Sequence, residues 1–201
     1  MIRIAERRDA AQIAEIYRPY VEGTAISFEE DAPSALQIAA KIEKVGSEFP
    51  FIVYEEPASE GAPGELLGYA YGTLYRERAA YRWSLEDSVY VRQDSVRKGI
   101  GKSLLATLVE LLRELGYIKI YAIIAPPNPA SVALHDELGF TSLCRFSDTA
   151  FKLGRWQAID WMELTLRDIP ALPEEPVSFP EFARAHPKRL AELLSGVARS
   201  G

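Results

Sequence analysis

Apolar positions along the chain alternate between spacings of two and of about 3.6, and the changes mark element boundaries. Ile2 and Ile4 alternate with polar neighbours as in a short strand. Asp9 then stands where an N-cap would open a helix with Ile13, Ile16, Tyr17 and Tyr20 on one face. After an irregular stretch around Phe28, Pro33 marks the start of a second helix that runs to Gly46, with Leu36, Ile38, Ala39 and Ile42 partly buried. Phe51 to Tyr54 reads as a buried strand, Pro57 to Gly64 as an expendable turn, and Leu66 to Tyr75 as the return of an antiparallel hairpin. Ser84 to Val91 is a further strand. Gly99 to Leu115 carries helical spacing through Ile100, Leu104, Leu105, Leu108, Leu111 and Leu112 until Gly116 stops it. Lys119 to Ile124 forms the next strand, Pro126 to Pro129 breaks it, and a short helix from Ala130 to Leu138 ends at Gly139. Thr141 to Ser147 and Ile159 to Leu166 close the set as strands. This order predicts an α/β (α+β) domain over residues 1–169 with a mixed sheet flanked by helices. Prolines at 170, 173, 176, 180 and 187 predict that 170–201 is an appended tail, with at most a helical turn or two from Lys188 to Leu194.

Composition narrows the classes that this fold could serve. With 201 residues and 48% hydrophobic positions, one substantial core is expected. A charged start at Arg3, Glu6, Arg7, Arg8 and Asp9 lacks the apolar run of a secretory signal, and no later stretch is apolar enough to span a membrane. The expectation is a soluble cytoplasmic protein with no membrane partner. Cys144 is the single cysteine and His135 and His186 the two histidines, which argues against an internal disulfide and against a structural metal site. A net charge of −6 gives no support for a nucleic-acid partner.

Val96-Arg97-Lys98-Gly99-Ile100-Gly101 is a basic glycine turn between a strand and a helix. Such a turn exposes backbone N–H groups at the positive end of the helix dipole and favours a phosphate or diphosphate, a field strengthened by Arg97, Lys98 and Lys102. Its continuation, Gly101-Lys102-Ser103, ends like a nucleotide-binding P-loop. The first glycine of that pattern would fall at Val96, and no aspartate closes the following strand, where Ile123-Ile124 runs into Ala125-Pro126. An NTPase reading therefore fails at two positions.

Gly99 and Gly101 fit the acetyltransferase turn R/Q-x-x-G-x-G/A instead. Together with Ser88-Val89-Tyr90-Val91, Asn128-Pro129-Ala130-Ser131 and Leu134 to Phe140, they resemble the GNAT superfamily. Within it, Ala80 to Glu86 and Lys152-Leu153-Gly154-Arg155-Trp156 resemble the phosphinothricin and methionine-sulfoximine N-acetyltransferases. The likeness spans roughly residues 2 to 167, and departs at Val96, which replaces the Arg or Gln of the turn, and in the tail. It implies a mostly antiparallel GNAT sheet and acetyl-CoA as cosubstrate. The implied coenzyme site takes in Val89, Tyr90, Val91, Arg97, Lys98, Gly99, Ile100, Gly101, Lys102, Asn128 and Ser131. It also implies a homodimer.

For the chemistry, an amine must lose a proton before it can attack a thioester, and Glu86 is the candidate base, with an ion pair to Arg76, Arg78 or Arg82 as the alternative role. His135 is the candidate proton donor to the departing thiolate, or else a structural histidine. Arg76 and Arg78 suit a carboxylate or oxyanion, and Phe28, Tyr75 and Tyr81 an apolar wall, giving with Glu86 an acceptor site for a small amino acid of the phosphinothricin, methionine sulfoximine or methionine sulfone type. Two other readings stay open: acetylation of a different amine (a peptide N-terminus, a polyamine or an aminoglycoside) and a non-catalytic acyl-CoA-binding module.

Overall fold

A computed structural model describes residues 1–57 and 64–196, so most of the expected turn between Pro57 and Gly64 lies outside the described residues. The strands are β1 (Ile2–Ile4), β2 (Phe51–Glu56), β3 (Glu65–Leu74), β4 (Ser84–Val91), β5 (Lys119–Ile124), β6 (Thr141–Lys152) and β7 (Arg155–Thr165). They form one sheet in the order β1-β2-β3-β4-β5-β7-β6. Every neighbouring pair is antiparallel except β4 and β5, which run parallel. Parallel neighbours need a crossover, and the helix α3 (Ile100–Glu114) supplies it. Leu104, Leu105, Leu108, Leu111 and Leu112 are fully buried, so the helix turns its apolar stripe onto the sheet. Gly68 on β3 lets it approach: a Cβ there would lie 2.8 Å from the Tyr90 carbonyl oxygen and 3.0 Å from Leu104.

The other face of the sheet's first half is covered by α1 (Ala10–Gly23) and α2 (Ala35–Gly46). Asp9 stands at the N-cap position of α1 as expected, but its side chain makes no capping bond to that helix. It ends a 3₁₀ turn that precedes the helix, accepts from the Glu6 N–H at 2.7 Å, and grips Arg3 through both carboxylate oxygens at 2.7 and 2.9 Å. Burial works against its charge, but Arg3 and the Glu6 N–H outweigh that and hold its pKa below the usual carboxylate range. Helix α2 opens on a reciprocal Ser34–Gln37 cap. Ile38, Ala39 and Ile42 are buried, whereas Leu36 stands 70% exposed. The short helix α4 (Pro129–Glu137) follows β5. Strands β6 and β7 both outrun their expected limits, meeting at a two-residue turn in which Leu153 and Gly154 have φ of 53° and 73°. That conformation matches the tight hairpin turns that suit a twisted ladder. An irregularity between Phe146 and Ala150, with Asp148 at φ 52°, hides the continuation from a period-two reading.

The tail departs most from its expected form. Helices α5 (Phe179–Ala185) and α6 (Pro187–Ser195) bury Phe179, Phe182, Leu190 and Leu193 in the common core. Backbone hydrogen bonds from Val177 to Leu115 and from Phe179 to Glu48 stitch it down, and the Trp83 indole donates to the Glu174 carbonyl at 2.7 Å. Pro180 and Pro187 stand in first helical turns, where the missing N–H costs nothing, so the prolines that read as breakers are helix starters. Removing a buried phenylalanine ring from this segment tests its place in the core. Phe182→Ala should lower unfolding free energy in urea by about 3–5 kcal/mol, and a loss below about 0.5 kcal/mol would mean that the tail only rests on the surface.

Candidate functional site

Pairing between β4 and β5 covers Ser84↔Lys119, Leu85↔Ile120 and Glu86↔Tyr121 and then stops, although β4 continues to Val91 and β5 to Ile124. The two strands part from Asp87 onward, and the gap widens into a cavity of about 430 Å³ between β4, β5 and the starts of α3 and α4. The Arg92 N–H donates to Leu67 on β3. By the alternation of an antiparallel ladder, the odd positions Val89 and Val91 therefore turn their polar backbone groups toward the gap. The Tyr20 hydroxyl already donates to the Val91 carbonyl, which leaves the Val89 groups and the Val91 N–H as the open edge.

The glycine turn forms the far end of this cavity. Gly99 sits at φ 79° as the N-cap of α3, and the helix receives no side-chain cap. Ser103 is the first residue to bond back, to the Gly99 carbonyl, so the N–H groups of Gly99, Ile100, Gly101 and Lys102 precede the intrahelical ladder. Arg97 and Lys98 are exposed beside them, and the Lys102 ammonium is held by Glu137 of α4. Val96, half exposed, adds an apolar wall. Asn128 caps α4 through a bond that its side chain accepts from the Ser131 N–H at 3.2 Å. Of the expected coenzyme residues, all but Lys98 line the cavity. The Tyr90 ring points away from α3 and packs edge-on against Tyr17 and Tyr20.

Strand alternation sends the adjacent carboxylates Glu86 and Asp87 to opposite faces. Glu86 shares its face with its neighbour Tyr121 and meets Arg76 at 3.5 Å. Burial raises the Glu86 pKa above its ordinary value, Arg76 opposes this, and Asp87 adds to it. The Arg76 guanidinium lies 4.4 Å over the Tyr75 ring, which in turn touches Tyr121 at 4.6 Å, Tyr81 at 5.6 Å and Trp161 at 5.8 Å. Glu86, Tyr75, Arg76 and Tyr81 are thus brought together. The Arg78 and Phe28 side chains are exposed and make no hydrogen bond, ion pair or ring contact with this cluster among the described residues, Arg78 meeting it only where its carbonyl accepts from the Tyr81 N–H, and Arg82 binds Glu175 instead of Glu86. The loop that carries Phe28 is nevertheless anchored, because the buried Lys152 ammonium donates to the carbonyls of Val21 and Ser27 at 2.6 Å each.

On the opposite face, His135 is buried and reaches Asp87. Its Nδ1 lies 2.7 Å from the Ser131 carbonyl oxygen and its Nε2 lies 3.2 Å from Asp87 Oδ2. Neither ring nitrogen is presented to the cavity with an unused valence. Sequence reasoning missed Asp87 here, and missed Tyr121 and Trp161 beside Glu86. Period-two alternation from Glu86 was the available signal for Asp87; the aromatic pair is assembled only by the sheet order.

An open strand edge running into a basic, uncapped helix start suits an extended, diphosphate-bearing cosubstrate, and a half-buried carboxylate at the vertex places acid–base chemistry where that cosubstrate would end. The class is a coenzyme-A-dependent acyltransferase. Comparison with known proteins makes the family definite: the profile described as acetyltransferase (GNAT) domain matches residues 2–162, and the chain belongs to this family of N-acetyltransferases. It is 36% identical over 157 residues to the phosphinothricin N-acetyltransferase of Alcaligenes faecalis, covering 77% of each chain. Over 168 residues it is 34% identical to the L-methionine sulfoximine/L-methionine sulfone acetyltransferase of Salmonella typhimurium, covering 82% of this chain and 94% of that one. The crystal structure of a GNAT superfamily phosphinothricin acetyltransferase from Sinorhizobium meliloti in complex with acetyl-CoA superposes with a TM-score of 0.79 at 36% identity, covering 90% and 96%. Acetyl-CoA is the cofactor of that structure and of the similar yncA structure from Salmonella typhimurium.

The two turn glycines should respond differently to alanine. At Gly99 an added Cβ would meet nothing within 4 Å, so the cost is backbone strain alone, about 1–2 kcal/mol. At Gly101 it would find ordinary contacts at 3.5 Å inside a helix, where alanine is favoured by about 1 kcal/mol. Urea unfolding of Gly99→Ala and Gly101→Ala should therefore shift in opposite directions; a common shift would refute this division.

Proposed function

We propose that the chain transfers acetyl from acetyl-CoA to the α-amine of a small amino acid with a second oxyanionic or polar end, of the phosphinothricin, methionine sulfoximine or methionine sulfone type. The observation that carries this reading is Glu86, half-buried at the vertex where β4 and β5 part, with Arg76 and the Tyr75–Tyr121–Trp161 rings beside it. The names of the relatives from Alcaligenes faecalis and Salmonella typhimurium support the acceptor class.

The uncapped N–H groups from Gly99 to Lys102, with Arg97 and Lys98, hold the diphosphate. The open Val89 and Val91 edge pairs with the pantetheine arm, and Asn128 and Ser131 flank its thioester end. Bound there, acetyl-CoA supplies the activated acyl group. The Val89 N–H is placed to polarise the acyl carbonyl. Glu86, ionised, removes the proton of the acceptor ammonium directly or through one water; the free amine attacks the acyl carbon, the C–N bond forms as the C–S bond breaks, and the second amine proton leaves with the coenzyme A thiolate as free thiol. Arg76 binds the anionic end of the acceptor, with Arg78 and Phe28 on the exposed rim. Alignment of amine and acyl carbon in such a cleft is worth about 7–11 kcal/mol.

The chain also works as a cytoplasmic homodimer in this reading. Among the described residues no helix is long and apolar enough to cross a membrane. The dimer is supported by the long edge strand β6, which with its hairpin leaves Leu143, Phe146, Phe151, Leu153 and Trp156 exposed.

Three experiments test these statements. In a thiol-release screen, acetyl-CoA with phosphinothricin or methionine sulfoximine should give turnover; turnover only with peptides, polyamines or aminoglycosides would refute the acceptor class, and none with any amine would favour a binding module. Glu86→Gln should lower kcat/KM by about 10²–10⁴ with acetyl-CoA binding intact. Since the base acts ionised and its pKa is raised, wild-type kcat/KM should climb as pH rises through that value, and the Gln variant should lack this limb. Sedimentation velocity should report a dimer that Trp156→Glu weakens; a wild-type monomer would remove the dimer.

A further inference from the structure

Asp87 and His135 occupy the point where the two walls of the cleft would otherwise be independent. Asp87 is the first residue of β4 beyond the last strand pair, so no sheet hydrogen bond to β5 holds the wall there. His135 stands one turn along α4 from Ser131, the residue whose N–H is capped by Asn128. Both side chains are almost completely shielded, at 3% and 2% exposure for His135 and Asp87. Nδ1 lies 2.7 Å from the Ser131 carbonyl oxygen and 3.4 Å from the Ser131 hydroxyl, so its short contact is to a group that only accepts; with the Asp87 carboxylate 3.2 Å from Nε2, the ring is best satisfied by donating from both nitrogens. The histidine consistent with this geometry is an imidazolium, and its counter-charge is Asp87.

We infer that Asp87 and His135 form an internal ion pair that clamps α4 to β4 and sets the width of the acetyl-CoA cleft, so that His135 is a positioning residue instead of the donor of a proton to the leaving thiolate. The inference rests on the cavity being the acetyl-CoA site. Asp87 Oδ1 is buried with no hydrogen-bond partner among the described residues, which leaves His135 as the main compensation for the carboxylate. Neutralising either partner strands the other charge in a nearly dry site. The charged groups around the ring are Asp87 from β4 and Asp136 from its own helix; beyond α4 it meets the edge of the Phe140 ring at 4.8 Å. Burial disfavours the imidazolium, but the Asp87 hydrogen bond and charge, the Ser131 carbonyl and Asp136 outweigh it, and the histidine pKa stands above its ordinary value. A raised histidine pKa gives a clamp that is fully present below about pH 6.5 and lost as pH rises through the folded value.

The test uses the full-length protein and acetyl-CoA, with Kd measured by calorimetry from pH 6 to 9.5 for the wild type and Asp87→Asn. Wild-type Kd should rise about tenfold as the clamp discharges, the size of one charge-assisted hydrogen bond. The Asn variant should bind about tenfold more weakly at pH 6.5 and show no such rise. A ¹⁵N spectrum of the wild-type histidines checks the pair without any variant: both ring nitrogens of His135 should be protonated at pH 6.5. A neutral His135 ring at that pH overturns the inference, as does a variant that binds with wild-type affinity and pH dependence. Failure of the wild type to bind acetyl-CoA at any pH overturns the cofactor reading itself and takes the clamp's role with it; binding without the pH-dependent difference overturns the clamp alone.

Discussion

The whole site depends on one interruption of the sheet, the loss of pairing between β4 and β5 after Glu86 and Tyr121. A sheet that stayed paired to Val91 would satisfy the backbone of Val89 and Val91 internally and leave no gap for a cosubstrate. Because the strands part, polar backbone of the central sheet faces a cavity, which is tolerable only if a ligand or water completes its hydrogen bonds. The crossover helix α3 makes this geometry stable. Its leucine stripe secures the closed half of the parallel pair, while its first turn projects unpaired N–H groups into the open half.

The same interruption separates two neighbouring carboxylates by function. Glu86 is the last paired residue, and Asp87 is the first unpaired one. Pleating sends Glu86 to the face where Arg76 and the aromatic rings gather, and Asp87 to the face where α4 brings His135. Burial raises the Glu86 pKa while leaving it a guanidinium neighbour at 3.5 Å, a setting suited to repeated gain and loss of a proton. Asp87 is tied to a buried imidazole, a setting suited to holding two elements together.

Much of this was legible from residue patterns, with limits that have physical causes. The bounds of β4 and β5 follow from runs of apolar and β-branched residues between turn signals, and α3 from a leucine stripe ended by Gly116. The glycine turn was readable because φ 79° at Gly99 needs the residue type found there. Asp9 misled because a side chain that can cap a helix can equally bind Arg3, and only the partner distance decides. Pro180 and Pro187 misled because proline both ends and starts helices, depending on the chain that follows. Tyr121 and Trp161 could not be placed beside Glu86 from spacing, since the order β4-β5-β7 is a tertiary fact.

The coenzyme half and the acceptor half of the site are built with unequal stiffness. The cavity side is bounded by α3, α4 and the clamped wall of β4, and its polar groups are mostly backbone, whose positions follow from secondary structure. On the opposite face, α1 and α2 cover the first strands, while Ile123 of β5 and Phe146 of β6 stand exposed. In the proposed function the acceptor would therefore be met by side chains rising from the sheet, by the loop that Lys152 fastens through two carbonyls, and by an apolar hairpin rim. Backbone binding tolerates substitution, which is why Val96 can stand in the turn without a donor. Side-chain recognition does not, so acceptor choice is where this chain is free to differ from relatives that share its turn.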